Sequence, residues 1–234
     1  PGLQLQVRER IKPVVTITSP SNGARITNNK QPVLFTATDE TNGSGVDLSS
    51  LVVKLDNVLV PSEQISNSEI TNGYSFTYTP AEALSDGSHT VTVDISDHDG
   101  NTADQKTTTF IVDTVAPTLN VTAPTEGYIT NTAELTVVGT TNDVTSSPVT
   151  VKITLNSADQ GAVTVNTGGA FSKQITLAEG ANVIVITATD AAGKSTSVTR
   201  NVTLDTSQPA ITSATITPNP VDAGKTMLIS VVIE

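Results

Sequence analysis

A single recurring pentapeptide divides the chain. Asp113-Thr114-Val115-Ala116-Pro117 returns in part as Asp205-Thr206-Ser207-Gln208-Pro209, each time closing one long β-patterned stretch and opening the next. Aligning Pro13, Pro117 and Pro209 gives residues 13–116, residues 117–208 and a remainder, which are 104, 92 and 26 positions long. A repeat near 100 residues describes beads on a string, because solenoid units recur at about 20–50 residues.

The interior of the two blocks keeps the same landmarks. Pro13, Pro20 and Gly23 are spaced as Pro117, Pro124 and Gly127 are, and Gly87, Asp97 and Gly100 as Gly180, Asp190 and Gly193. Strand-like runs fall at residues 14–18, 33–37, 51–60, 74–78, 90–96 and 107–112, with a single helical turn expected at Ala81–Leu84 after Pro80. Val91, Val93 and Ile95 share one face of their strand, and Ile184, Ile186 and Ala188 occupy the matching positions. Val183 and Val185 make the second face apolar too, which predicts that it is covered. Short alternating runs separated by turn residues are the mark of an all-β sandwich.

Composition limits what these sandwiches contain. Aromatic residues are only 3% of the chain, so each core must be built from Val, Ile, Leu and Ala with an occasional Phe or Tyr. Tyr74 and Tyr78 lie two apart on one strand face and are expected inside. Tyr128, placed in a turn after Gly127, is the aromatic expected to be exposed as a contact. There is no cysteine, which excludes disulfides and thiolate metal sites. A net charge of −11 argues against a nucleic-acid partner, which needs a basic face. No run approaches the roughly 18 apolar residues of a membrane helix, so membrane insertion is not expected.

Both ends lie outside the blocks. In residues 3–11, Leu3, Leu5, Val7 and Ile11 share one face, broken by Glu9, while Arg8 and Arg10 lie on the other. Residues 1–12 therefore read as a docking strand that adds to a neighbouring subunit's sheet edge, or else as a frayed or extra edge strand of the first block. The start at Pro1 fits either a natural second residue of a protein made without a signal segment or a processing boundary. Residues 209–234 hold two more runs, Ile211–Thr217 and Met227–Ile233, that resemble the opening pair of a third repeat. A lone hairpin is marginal in water, so either the third repeat is cut short or another subunit or residues 3–11 complete it.

Catalytic constellations are not evident. The histidines are His89 and His98, too few without cysteine for the common zinc sites, and no G-x-S-x-G elbow occurs. No enzyme activity is expected. The acids instead cluster in turns, where Ca²⁺ takes hard oxygen ligands. The candidates are Asp39, Asp97, Asp99, Asp113, Asp143, Asp190 and Asp205. Asp113 is expected to meet Asp39, Asp97 or Asp99, and Asp205 to meet Asp143 or Asp190. The competing account is that these side chains cap turn amides.

The residues Pro13-Val14-Val15-Thr16-Ile17-Thr18-Ser19-Pro20, Asp97-His98-Asp99-Gly100-Asn101 and Asp113–Pro117, with Asn120–Pro124, Asp190–Lys194 and Asp205-Thr206, resemble those of bacterial immunoglobulin-like domains. The resemblance covers nearly the whole chain. It implies tandem immunoglobulin-like sandwiches of about 100 residues. Domains of that family occur in adhesins and surface-layer proteins, as accessory domains of secreted glycosidases, and on phage tails. The ending Ile216–Lys225 resembles repeats of tail-associated proteins, and no wall-anchoring or lipidation motif accompanies it. The resulting expectation is a non-catalytic structural and binding protein. It would be a spacer or decoration of a tail-type particle, next a cell-surface adhesin stalk, and last a glycosidase accessory module. Its place would be an extracellular particle or the bacterial surface, and its partners other subunits or a surface glycan or protein.

Overall fold

A computed structural model describes residues 8–217 and 222–233. Leu3, Leu5 and Val7, which carry most of the expected docking strand, lie outside them. The first sandwich contains β1 (Val14–Ser19), β2 (Arg25–Ile26), β3 (Val33–Thr38), β4 (Val46–Leu55), β5 (Val58–Leu59), β6 (Ile65–Ile70), β7 (Gly73–Tyr78), β8 (Gly87–Asp97) and β9 (Lys106–Val112). One sheet has the order β1-β3-β7-β6 and the other β2-β9-β8-β4-β5. The second sandwich contains β10 (Thr118–Ala123), β11 (Tyr128–Thr130), β12 (Glu134–Asn142), β13 (Thr150–Leu155), β14 (Ala158–Asp159), β15 (Ala170–Thr176), β16 (Gly180–Thr189) and β17 (Ser195–Leu204). Its sheets are β10-β12-β15 and β11-β17-β16-β13-β14.

The alternation in the sequence becomes burial. Along β8, His89, Val91, Val93, Ile95 and Asp97 all point inward, and their neighbours do not. Residues two apart on a strand share a face, so one apolar series fills one core. The first core adds Phe35, Phe76 and Phe110 to its valines, with Phe35 and Phe76 stacked at 4.8 Å. Tyr78 is buried there and Tyr74 packs against it. The second core is almost purely aliphatic, with Phe171 as its aromatic member. The two cores share no residues.

Several local expectations are corrected. Residues 81–84 form a bend and no helix; the short 3₁₀ turn is at Ser62–Gln64. Val183 is exposed and Val185 half-buried, because this antiparallel sheet presents its outer face to water. Residues 8–12 lie in no strand, and Arg8, Arg10 and Ile11 are exposed. The last strands, β18 (Ile211–Thr217) and β19 (Leu228–Ile233), pair only with each other among the described residues and are exposed on both faces.

Chain direction positions the site. In the first sandwich β1 and β3 are antiparallel, so the chain's arrival at Pro13 and the exit from β3 at Thr38 share one pole. The turn after β8 lies at that pole too, since the Glu9 amide donates to Asp99 Oδ2 at 2.9 Å. Strand β9 runs back antiparallel to β8 and leaves at the opposite pole. Each bead is therefore entered at one end and left at the other.

Candidate functional site

The upstream pole of each sandwich gathers three acids, from three segments in the second bead and from two in the first. In the second bead these are Asp113 from the arriving linker, Asp143 just after β12, and Asp190 just after β16. One carboxylate oxygen from each lies within 4.8 Å of the others, and all three residues are buried. In the first bead Glu9, Asp39 and Glu40 meet the same condition. Glu9 precedes Pro13 by four residues, as Asp113 precedes Pro117, and Asp39 follows β3 as Asp143 follows β12.

Local backbone geometry orients these side chains. Asp113 Oδ1 accepts from the Val115 amide at 3.2 Å. Asp143 Oδ1 accepts from the amides of Thr145 (2.8 Å) and Ser146 (2.6 Å), and Asp190 Oδ1 from those of Ala192 (2.8 Å) and Lys194 (2.9 Å). These are the turn-capping bonds expected of Asp, and they occupy one oxygen of each carboxylate. The other oxygens of Asp113 and Asp190, with Ser146 Oγ, are buried and have no hydrogen-bond partner among the described residues. Capping therefore accounts for only half of each group.

At the first pole, Asp39 Oδ2 accepts from the Gly45 amide at 2.8 Å and the Ser44 hydroxyl donates to Glu9 Oε1 at 3.0 Å. Asp39 Oδ1 and Glu40 Oε2 are buried without partners among the described residues. Hydrogen bonding to Glu9 pushes the Glu40 pKa up to about 7, with burial and Asp39 adding to the effect. The loop closes tightly on the acids: a Cβ at Gly43 would stand 2.7 Å from Asp39 Oδ2 and 2.9 Å from Glu9 Oε2. Burial raises the Asp97 pKa, but bonds from the Asn101 side chain and amide and the Gly100 amide outweigh it and hold it below the usual carboxylate range.

The pairings differ from those expected. Asp113 does not meet Asp39, Asp97 or Asp99 of its own bead; it meets Asp143 and Asp190 of the next. Asp205 is exposed, and its Oδ1 accepts from the Ser207 amide at 3.0 Å, away from both. The reason is the direction of the chain, since each junction acid leaves at the pole opposite its own bead's acidic loops. Glu9 and Glu40 were missed. Glu9 looked like a flaw in an apolar strand face, although its spacing to Pro13 marked it. Tyr128 is exposed, and it opens strand β11 where a turn was expected. His89 is buried against Asp56, while His98 is exposed and borders the cleft lined by Asp39 and Glu40 without an ion pair to them among the described residues.

The linker itself is fixed to the bead that follows. Pro117 is buried, and its carbonyl accepts from Thr196 Oγ1 at 2.6 Å. Across the joint, Arg25 Nη2 donates to the Ser147 carbonyl at 3.4 Å. No helix among the described residues is long and apolar enough to cross a membrane.

Comparison with known proteins finds a family match within each bead. Residues 13–93 match the family described as bacterial Ig domain, and residues 117–206 match glucodextranase, domain B. Among solved structures, the fibronectin(III)-like modules of Clostridium thermocellum CbhA are 19% identical over 82% of this chain and 94% of theirs, with a TM-score of 0.48. The titin Ig tandem A164-A165 is 10% identical over 83% of this chain and 97% of its own, with a TM-score of 0.30. Among curated proteins none matches the chain.

Proposed function

From a chain of tandem bacterial immunoglobulin-like modules, we propose a non-catalytic spacer that holds its neighbours at a set distance in an extracellular or surface-attached protein. The observation that carries this reading is the axial path of the chain. Each bead is entered at one pole and left at the other, and the five-residue junction 113–117 is tied to both beads, Asp113 and Thr114 to the one it leaves and Pro117 to the one that follows. An 11-residue strand such as β8 rises about 3.4 Å per residue, so each bead adds roughly 35 Å of length.

The larger protein that such a spacer serves is best sought among secreted carbohydrate-active enzymes and surface stalks. The match of residues 117–206 to glucodextranase domain B favours an accessory module of the first kind. Neither family match is to a tail-particle component, so the tail-type reading of residues 216–225 gains nothing from them.

Small-angle scattering of the purified chain tests the spacer. The expected distance distribution has a second peak, from bead to bead, near about 40 Å, set by bead length. A single peak, from beads folded against each other side by side, would overturn the reading.

A further inference from the structure

We propose that the upstream pole of each sandwich is a divalent-cation site matched to Ca²⁺, built from Asp113, Asp143 and Asp190 in the second bead and from Glu9, Asp39 and Glu40 in the first. In the second bead Asp113 is 0% exposed, Asp190 6% and Asp143 7%. Charges buried to this degree cost several kcal/mol each unless they are paired. No ion pair to a Lys, Arg or His reaches any of them among the described residues. Three carboxylates concentrated without a basic partner demand a counter-charge.

The second observation is the state of the free oxygens. Backbone amides hold one oxygen of each carboxylate, and the remaining oxygens of Asp113 and Asp190 are buried with no partner among the described residues. Buried polar atoms are nearly always satisfied, so an unpartnered pair within one cluster points to a ligand. Ser146 Oγ, fully buried and equally unpartnered, stands in the same loop as Asp143. The first pole repeats the pattern with Asp39 Oδ1 and Glu40 Oε2.

Chemistry selects the ion. The donors are all oxygen, which suits a hard cation and not the nitrogen- and sulfur-seeking transition metals. Ca²⁺ bonds oxygen at about 2.3–2.6 Å, so its ligand oxygens can stand about 4.8 Å apart, the spread that both clusters respect. Three carboxylates leave room for backbone carbonyls or water among its six to eight positions. Because Asp113 comes from the linker directly after one bead's last strand and Asp143 and Asp190 from the next bead's loops, the ion would clamp the joint. That mechanical meaning rests on the spacer reading, while the binding itself does not.

The test is calorimetric titration of chelator-treated full chain with CaCl₂ and, separately, MgCl₂. Two Ca²⁺ per chain are expected, with half-saturation on the order of 0.1–1 mM, the range of extracellular modules, and weaker response to Mg²⁺. Asp113→Asn should remove one of the two sites, and Glu9→Gln should weaken the other at least about tenfold, as loss of a charged ligand does. The two variants act at different poles, so one that fails to fold leaves the other decisive. Absence of Ca²⁺ binding by the unaltered chain at 10-fold this concentration would overturn the proposal, as would two undiminished sites in both variants. An extended two-bead scattering profile alongside absent binding would leave the spacer standing and remove only the ions.

Discussion

His89 and Asn182 occupy the same place in the two beads and solve the same problem differently. The buried His89 ring bonds Asp56 through Nδ1 at 2.7 Å and the Ser85 carbonyl through Nε2 at 2.8 Å. Asn182 instead accepts from Asn156 Nδ2 at 3.0 Å and donates to the Ala178 carbonyl at 2.7 Å. Burial lowers the His89 pKa, but the Ser85 carbonyl and the Asp56 carboxylate outweigh it and the net shift is upward. A raised folded pKa stabilises the bead fully below the unfolded value of about 6.5, and the contribution fades as pH rises through the folded value. The first bead should therefore melt progressively lower as pH rises above about 6.5, while the second should not. His89→Asn should reduce that dependence in calorimetric scans, leaving the share of Glu40, whose pKa is raised to about 7 in the same bead, and an unchanged slope would remove His89 as a source. The acids were legible at this scale as residue types, because they recur at fixed distances from Pro and Gly. Their partners were not, since spacing along a chain does not say which pole a residue reaches.

At the level of the strand, legibility followed alternation. β8 and β16 were plain because one face is apolar and the other polar. β6, Ile-Ser-Asn-Ser-Glu-Ile, was missed because it is an edge strand with only Ile65 packed against the core. Gly139 in the middle of β12 looks like a weak point until its neighbour is seen. It pairs with Phe171, whose ring would stand 2.5 Å from any Cβ there, so the glycine makes room for the second core's aromatic residue. The first core depends instead on the Phe35–Phe76 stack. Phe35→Ala should cost about 3–5 kcal/mol, the usual loss for a buried phenylalanine. Since the cores are separate, scanning calorimetry should show the first bead's transition falling and the second's staying in place. Equal movement of both would mean that the beads fold as one unit.

For the whole molecule, the repeat in the sequence made the two-bead organisation readable, while the joint between the beads emerged only in three dimensions. The feature with the widest consequence is the pairing of β2 with β9 and of β11 with β17, the parallel ladders in otherwise antiparallel sheets. They tie the early part of each bead to its final strand, and Asp113 and Asp205 follow directly, their amides bonded to the Ile26 and Thr130 carbonyls at 2.9 Å. Tension applied through the ends would draw the two strands of each ladder along their axes in opposite directions. The evenly spaced, slanted hydrogen bonds of a parallel pair then share the load and must break together, whereas a hairpin pulled from its open end unzips one bond at a time. Stretched singly by force spectroscopy, the chain should give two discrete rupture steps, with the β18–β19 hairpin opening at far lower force. A chain built this way behaves as a tether with two fuses, holding its length until a threshold pull is exceeded.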